Sequence, residues 1–242
     1  MAKELLLVSN STLHGSGYLD HCENHIKDLL GNKVQEIVFI PYARPGGLTH
    51  DEYAGKAAER FEKMGYNLKG IHEFANAVEA IENAHAVFTG GGNTFKLVEQ
   101  LHLNGIIEPL RKRITEGMPY IGTSAGSNVA CPTIMTTNDM PVVYPPSFEA
   151  LNVFPYQINA HYLDPDPDST HQGETRETRI KEFHVYNETP VVGLREGCMV
   201  HIVGDTYTLK GSTNARIFQQ NKEAFELNFL SITDSNSFKA SG

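Results

Sequence analysis

Residues 119–128 read PYIGTSAGSN, and this stretch determines how the neighbouring chain can fold. Residues 119–123 have the length and apolar character of a buried β-strand, and a helix can begin at Ala125. Between them stands the pattern G-x-S-x-G, in which a tight strand-to-helix turn projects the serine hydroxyl. The helix start also favours negative charge beside that hydroxyl. The pattern predicts a nucleophilic serine at Ser124; the alternative is a tight turn without catalytic function.

Upstream of this stretch, short apolar runs alternate with amphipathic segments. The runs predict strands over residues 5–9, 36–43, 67–72 and 84–89, with helices in the intervening segments. A regular alternation of strands and helices is typical of parallel strands covered by helices on both faces. We therefore expect an α/β fold with a mostly parallel, twisted sheet. Its chemistry should lie in the loops at the carboxyl ends of the strands.

The last third of the chain has a different pattern. Residues 190–194, 199–204, 207–210 and 215–219 alternate with tight turns, which predicts β-hairpins. No linker or repeat interrupts the chain, so we expect one domain over residues 1–233. Residues 234–242 are expected to form a polar tail.

Composition excludes several classes of function. Lys and Arg number 20 against 29 Asp and Glu, a net charge of −9, which disfavours nucleic acids and anionic membranes as partners. No apolar run approaches the roughly 18 residues of a membrane span. The opening residues, MAKELLLVSNST, read as a first strand and not as a signal peptide. The three cysteines are widely separated, which favours reduced thiols and a cytoplasmic protein.

Three consecutive glycines, residues 90–92, follow the predicted strand at residues 84–89 and precede Asn93. Their backbone N–H groups can point into a site without obstruction by side chains. A serine hydrolase needs one such donor from the residue after the nucleophile, here Ala125, and one from another loop. Gly91 or Gly92 can supply the second donor. A loop that binds a phosphate is the alternative reading.

A base is needed to accept the serine proton, and His161 is the best placed of the eleven histidines. It follows an alternating apolar segment, residues 156–160, and opens an acidic loop, residues 161–168. The loop has a second interpretation as a cation site, whose ligands would be His161, Asp164, Asp166 and Asp168. A solvated acidic loop is the more common outcome, and we expect no metal.

Two carboxylates are candidates for holding the imidazole in place. Glu196 lies in a turn between two predicted strands, and Asp139 lies in a polar segment after the serine helix. Each also has an ordinary structural explanation, as a turn residue or a loop residue. The residues alone favour Glu196 only slightly, and both remain open.

Together these motifs resemble the peptidase E family of serine peptidases, the aspartyl dipeptidases. Five stretches carry the resemblance in family order: residues 39–43 (FIPYA), 88–93 (FTGGGN), 122–128 (GTSAGSN), 158–162 (INAHY) and 173–176 (GETR). The resemblance implies a fold like that of class I glutamine amidotransferases (flavodoxin-like) and hydrolysis of dipeptides that begin with aspartate. It implies Ser124 as nucleophile and His161 as base, with Glu196 or, alternatively, Asp139 as the acid. Backbone N–H groups of Gly92 and Ala125 would bind the oxyanion.

No cofactor is implied, and the expected partners are small dipeptides, with a monomer or homodimer as the assembly. The substrate aspartate needs a cation, and Arg176 is our choice, with Arg179 nearby as a second arginine. Asn93 and Asp164 are expected as further substrate contacts, Asp164 for the free amino group. An esterase or other acyl hydrolase using the same serine is one alternative function. A non-catalytic protein that binds an anion at the glycine loop is another.

Overall fold

The apolar runs of the amino-terminal half form the parallel strands of one large sheet. The structure is a computed structural model that describes residues 2–166, 168, 170, 173–227 and 232–233. The strands are β1 (Glu4–Val8), β2 (Glu36–Ile40), β3 (Asn67–Gly70), β4 (Ala86–Thr89) and β5 (Tyr120–Thr123). They pair in parallel in the order β1-β5-β4-β2-β3. The predicted mostly parallel sheet is confirmed.

Helices connect these strands. They are α1 (Glu23–Leu30), α2 (His50–Lys63), α3 (Ala77–Asn83), α4 (Thr94–Leu103), α5 (Ile107–Thr115), α6 (Ala125–Asn128) and α7 (Arg176–Tyr186), with short 3-10 helices at Asp20–Cys22 and Ile71–Glu73. Thr49 and Glu52 form a capping box at the start of α2, because the side chain of each residue accepts a hydrogen bond from the backbone N–H of the other. Asn93 caps α4 by accepting from the N–H of Lys96.

The helices cover both faces of the large sheet. Side chains alternate along a strand, so Leu6 and Val8 of β1 pack with α1 and α2. Leu5 and Leu7 point the other way, into a second apolar cluster with α3, α4 and α5. Because both faces are buried, β1 is an almost continuous apolar run. Helices on both faces were expected, and the structure confirms them.

Later strands distribute between two sheets. The second, smaller sheet has the order β11-β10-β7-β6 and contains β6 (Gln157–Ala160), β7 (Val191–Leu194), β10 (Ala215–Phe218) and β11 (Phe225–Leu227). Three others extend the large sheet from β1 in antiparallel pairing: β8 (Cys198–Val203), β9 (Thr206–Gly211) and β12 (Ile232–Thr233).

The hairpin between β8 and β9 forms as the turn pattern predicts. A second hairpin forms between β10 and β11, although no strand was predicted over residues 225–227. Consecutive strands β7 and β8 do not pair, and the sequence pattern did not predict a second sheet. β7 runs parallel to β6, and β8 lies beside β1, so the short turn at residues 195–197 crosses from one sheet to the other. The pattern of apolar residues in a strand predicts which side chains are buried but not which strand lies beside it, so the division into two sheets could not be predicted.

The carboxyl ends of β1, β4 and β5 lie next to those of β6 and β7. The N–H of Ser124, after β5, donates to the carbonyl of Val8 at 2.9 Å, and the N–H of His161, after β6, donates to Ser9 Oγ at 3.0 Å. Loops from both sheets therefore meet at one edge. The expectation of a single domain over residues 1–233 stays a prediction, and the expected tail, residues 234–242, lies outside the described residues. In the described part of the chain, no helix has the length and apolar character needed to cross a bilayer.

Candidate active site

Ser124 sits in a strained turn between β5 and α6. Its φ is 53° and its ψ is −110°, a backbone conformation that a residue with a side chain rarely adopts. The glycines on either side are required by close packing. A Cβ on Gly122 would lie 2.4 Å from the carbonyl oxygen of Gly126, and one on Gly126 would lie 2.2 Å from that of Thr89. Strain of this kind persists where the surrounding structure holds it, and here it directs the hydroxyl out of the turn.

Three predicted residues form one hydrogen-bonded series. Ser124 Oγ lies 2.9 Å from His161 Nε2, and His161 Nδ1 lies 2.7 Å from Glu196 Oε1. A carboxylate only accepts, so in a neutral imidazole Nδ1 carries the proton and donates to Glu196. Nε2 is then free to accept from the Ser124 hydroxyl. The side chains of His161 and Glu196 are 42% and 50% exposed, so a small molecule can reach the series from solvent.

The glycine loop packs directly against this serine. A Cβ on Gly91 would lie 3.1 Å from Ser124 Cβ. Gly92 has a φ of +146°, and a Cβ there would lie 2.3 Å from the carbonyl oxygen of Ala43, so only glycine fits without movement of backbone. The N–H groups of Gly91, Gly92 and Ala125 find no acceptor among the described residues. The loop and the start of α6 therefore present free donors beside the serine hydroxyl.

Asp139 makes no hydrogen bond to His161 in the described structure and bonds to other residues instead. Its Oδ2 accepts from the N–H of Thr94 at 2.7 Å, from Thr94 Oγ1 at 2.6 Å and from Thr137 Oγ1 at 3.1 Å. Thr94 is the first residue of α4, so the carboxylate lies at a helix start, where negative charge is favourable. Asn128 Nδ2 also donates to Thr94 Oγ1, at 3.2 Å. The sequence pattern did not reveal this network, because its members come from three separate segments.

The two further expected substrate contacts are engaged within the protein. Asn93 uses its Oδ1 to cap α4 and its Nδ2 to donate to the carbonyl of Met140 at 2.8 Å. Both carboxylate oxygens of Asp164 accept from Arg195, each at 2.7 Å. The Arg195 guanidinium holds the pKa of Asp164 below its ordinary value. Both side chains thus anchor loops at the edge of the site.

Arg176 begins α7 and is half-buried. In the described structure it makes no hydrogen bond or ion pair, in contrast to Arg179, which lies 3.6 Å from Glu174. Burial lowers the pKa of the Arg176 guanidinium, Arg179 lowers it further, and Asp139 acts in the opposite direction. A partly desolvated cation without a partner is suited to an anionic ligand.

The acidic loop does not assemble a cation site in the part of it that the structure describes. There, no three His, Cys, Asp or Glu side chains are grouped so that they could hold a metal ion. His161 is engaged with Ser124 and Glu196, and Asp164 with Arg195. Asp166 accepts from the backbone N–H of Asp168 at 3.0 Å.

The cysteines do not provide an alternative nucleophile. Cys22, Cys131 and Cys198 are all buried and free. Burial raises the pKa of each thiol, to about 12 for Cys22 and Cys198. The thiolate is the reactive form of cysteine, so these side chains are inert.

Comparisons with known proteins relate the chain to a family of peptidases. Residues 5–210 match the family model of Peptidase family S51. A protein of Streptomyces coelicolor named Peptidase E is 46% identical over 223 residues, covering 92% of this chain and 90% of its own. A Drosophila melanogaster protein named "Probable alpha-aspartyl dipeptidase" is 44% identical over 228 residues, covering 93% and 94%.

Among solved structures, the crystal structure of a peptidase from an acI-B1 Actinobacterium superposes with a TM-score of 0.70 at 17% identity. The match covers 96% of this chain and 98% of that one. This likeness concerns the fold, which is the flavodoxin-like arrangement of class I glutamine amidotransferases that the sequence resemblance implied.

Proposed function

The chain belongs to peptidase family S51, and from this premise we propose that it is a serine-type dipeptidase that hydrolyses dipeptides with an amino-terminal aspartate. One observation carries the proposal: the hydrogen-bonded series Ser124–His161–Glu196 at the meeting point of two sheets. A serine hydroxyl is a weak nucleophile by itself and needs an adjacent base that a third group orients. The series has this order of groups.

In the proposed reaction, Ser124 Oγ attacks the peptide carbonyl while His161 Nε2 takes the hydroxyl proton. The tetrahedral intermediate collapses, and His161 returns the proton to the leaving amine, which departs as the second amino acid. Water then attacks the acyl-enzyme with His161 again as base, and aspartate is released. Glu196 holds the Nδ1–H of His161 and stabilises the positive charge that forms on the imidazole.

The oxyanion is bound by backbone N–H groups of Gly92 and Ala125. Both groups lack an acceptor within the described structure. Ala125 directly follows Ser124, and Gly92 directly follows Gly91, which packs against Ser124. The N–H of Gly91 is similarly free and lies on the same loop. Donors of this kind are effective because they are fixed before the charge develops.

Arg176 binds the side-chain carboxylate of the substrate aspartate. Arg176 is the first residue of α7, after the loop that His161 opens. In the described structure Asp139 is close enough to influence its charge, but no carboxylate lies within ion-pair distance. A guanidinium can bind a carboxylate through two parallel hydrogen bonds, which selects a planar acid over an amide. For Asp164 and Asn93 we propose structural roles, because their side chains are already hydrogen-bonded within the protein.

We propose that the enzyme acts on small dipeptides in the cytoplasm, as a monomer or homodimer, without a nucleic-acid or membrane partner. The buried, reduced cysteines and the net charge of −9 support this proposal. Cell fractionation and size-exclusion chromatography test it.

The test of function is hydrolysis of a small substrate panel. Metal-free protein is incubated with Asp-Leu, Glu-Leu, Asn-Leu and Leu-Asp, alongside a Ser124→Ala variant, and the free amino acids are measured. We expect leucine to be released from Asp-Leu and not from Asn-Leu or Leu-Asp, and we expect no release with Ser124→Ala.

Other results point elsewhere. Cleavage that survives Ser124→Ala contradicts the serine mechanism. Ser124-dependent hydrolysis of esters, without dipeptide cleavage, indicates a different acyl hydrolase. Binding of an anion that Ser124→Ala leaves intact, with no turnover in either protein, indicates a non-catalytic function at the glycine loop.

A further inference from the structure

We propose that Ser9 and Asn10, directly after β1, are positioning residues that hold His161 and Glu196 in register with Ser124. The inference rests on the proposed function and extends it to residues that touch neither substrate nor reacting atoms. With Val8, these residues form a three-residue segment, residues 8–10, that makes hydrogen bonds to the chain beside each member of the catalytic series.

Val8 holds the serine turn through its backbone. Its carbonyl accepts from the N–H of Ser124 at 2.9 Å and from Ser127 Oγ at 2.7 Å. One donor is the nucleophile's own residue, and the other lies in α6, which begins directly after it. The position of Ser124 is thus set relative to the end of β1.

Ser9 connects that same strand end to the smaller sheet. Its Oγ accepts from the backbone N–H of His161 at 3.0 Å and donates to the carbonyl of Leu194 at 2.7 Å. Its side chain is fully buried, so water cannot replace either bond. The hydroxyl is used as donor and acceptor at once, and it joins the strand ends that lead to His161 and to Glu196.

Asn10 fixes the other side of Glu196. Its Oδ1 accepts from the N–H of Gly197 at 2.9 Å, and its Nδ2 donates to the carbonyl of Thr12 at 2.9 Å. The residue is 2% exposed. The chain is therefore held on both sides of Glu196, by Ser9 at Leu194, two residues before it, and by Asn10 at Gly197, directly after it.

This anchoring matters because the catalytic series spans two sheets. Ser124 follows β5 of the large sheet, whereas His161 and Glu196 follow β6 and β7 of the smaller one. His161, like Ser124, has a φ of 53°, so its backbone is in a conformation that must be held from outside. Ser9 Oγ supplies the acceptor for the backbone N–H of His161. Without it, the imidazole is free to shift relative to Ser124, and a displacement of about 1 Å can cost on the order of 100-fold in rate.

The experiment compares Ser9→Ala with a matched control, Thr136→Val. Thr136 is also buried, and its Oγ1 donates to a carbonyl of β6, that of Ile158, at 2.9 Å. Removing either hydroxyl therefore costs a buried hydrogen bond to the smaller sheet. We expect Ser9→Ala to lower kcat for Asp-Leu by about 10- to 100-fold with KM changed less than about 3-fold, because alignment and not substrate binding is lost. Thr136→Val should keep kcat within about 3-fold, and both variants should keep the preference for Asp-Leu over Asn-Leu.

A double-mutant cycle separates positioning from general destabilisation. If Ser9 acts through the His161–Glu196 pair, Ser9→Ala should cost less than about 3-fold in a Glu196→Gln background, since the pair is already impaired. A full, additive loss in that background overturns the inference. So does a Ser9→Ala variant with the kcat of the wild type, or an equal loss in Thr136→Val.

Asn10→Ala carries the same test if Ser9→Ala does not fold. It removes the acceptor of the Gly197 N–H, and we expect about a 3- to 10-fold fall in kcat at unchanged KM, again non-additive with Glu196→Gln. A wild-type kcat, or an additive loss, overturns the inference here too. The two ideas fail in different ways. If the proposed function is wrong, the Ser124→Ala variant still cleaves the dipeptide. If only this inference is wrong, the Ser9 and Asn10 variants still cleave it and their cleavage still depends on Ser124.

Discussion

Two polar loops at the same sheet edge each offer a carboxylate, and their surroundings differ. The turn at residues 195–197 presents Glu196 half exposed, with its Oε1 on His161 Nδ1. The loop at residues 136–140 presents Asp139 to Thr94 and Thr137, where a single oxygen accepts three hydrogen bonds. One carboxylate contacts a titratable ring that can move a proton; the other contacts neutral donors at the start of α4.

The comparison shows that the role of a carboxylate depends on which groups donate hydrogen bonds to it. Asp139 neutralises a helix start and holds the segment that follows the glycine loop, so its contribution is to stability and loop position. In the proposed mechanism, Glu196 is bonded to an imidazole that gains charge during the reaction, so its expected contribution is to the transition state. The five predictions below test this division, in decreasing order of expected effect.

Glu196→Gln should lower kcat for Asp-Leu by about 10⁴-fold, if Glu196 behaves like the aspartate of a serine protease. Glutamine can donate to Nδ1 and so favours the wrong imidazole tautomer. Steady-state kinetics measures the loss, and thermal unfolding should show a midpoint close to that of the wild type. A loss of this size in Asp139→Asn, with little effect in Glu196→Gln, would indicate that Asp139 and not Glu196 is the catalytic acid. Small losses in both would refute the proposed series.

Gly92→Ala should lower kcat by about 10²- to 10³-fold, the range seen when one oxyanion donor is lost. The added Cβ would lie 2.3 Å from the carbonyl oxygen of Ala43 at a φ of +146°, so the loop must move. Gly55→Ala is the control, because a Cβ there meets nothing within 4 Å. It lies within α2, where alanine is favoured over glycine, and should leave kcat unchanged. Equal kcat in both variants would argue against the glycine loop as the oxyanion site.

Arg176→Gln should lower kcat/KM for Asp-Leu by about 100-fold or more, because hydrogen bonds to a charged group contribute about 1.5–3 kcal/mol each. Arg179→Gln, on the same helix and exposed, should change it less than about 3-fold. The two variants are compared on Asp-Leu and Asn-Leu. The preference for Asp-Leu over Asn-Leu should be lost only in Arg176→Gln. Its loss in Arg179→Gln would indicate that Arg179 binds the aspartate side chain.

Asp139→Asn should reduce kcat by about 10-fold at most, while it lowers the free energy of unfolding by about 1–2 kcal/mol. The charge at the start of α4 is lost, although an amide oxygen can still accept hydrogen bonds. Chemical denaturation measures the change. An unchanged unfolding free energy would show that the Asp139 network does not stabilise this loop.

Asp164→Asn should have the smallest effect, a decrease of about 1 kcal/mol in stability at neutral pH, since this ion pair is partly solvated. Arg195 lowers the folded pKa of Asp164, so the carboxylate stabilises the fold above its unfolded pKa, near 3.8. That stabilisation is lost as the pH falls through the lowered folded value. The midpoint difference between variant and wild type, about 2–4 °C at neutral pH, should therefore shrink below about pH 4. A difference that grows in acid would contradict the ion-pair explanation.

Local patterns were sufficient for the elements that carry the chemistry. The strand-turn-helix around Ser124 and the glycine loop after β4 follow from spacing and side-chain type over a few neighbouring residues. Patterns of this kind indicated burial and turns correctly in the last third as well. They did not indicate that β7 and β8 enter different sheets, because each strand satisfies the same apolar pattern beside either partner.

The sequence by itself determined the type and order of most elements, the serine turn and, through its motifs, the family. These are properties of residues close together in the chain, whose geometry is limited by backbone sterics and by the period of the apolar positions. Only the tertiary structure decided which carboxylate meets His161 and which residues hold them together. Glu196 lies 35 residues from His161, and the hydroxyl of Ser9 reaches Leu194 across 185 residues. A hydrogen bond forms only within about 3 Å and at a suitable angle, so such partners are chosen by how the sheets pack and not by any local pattern.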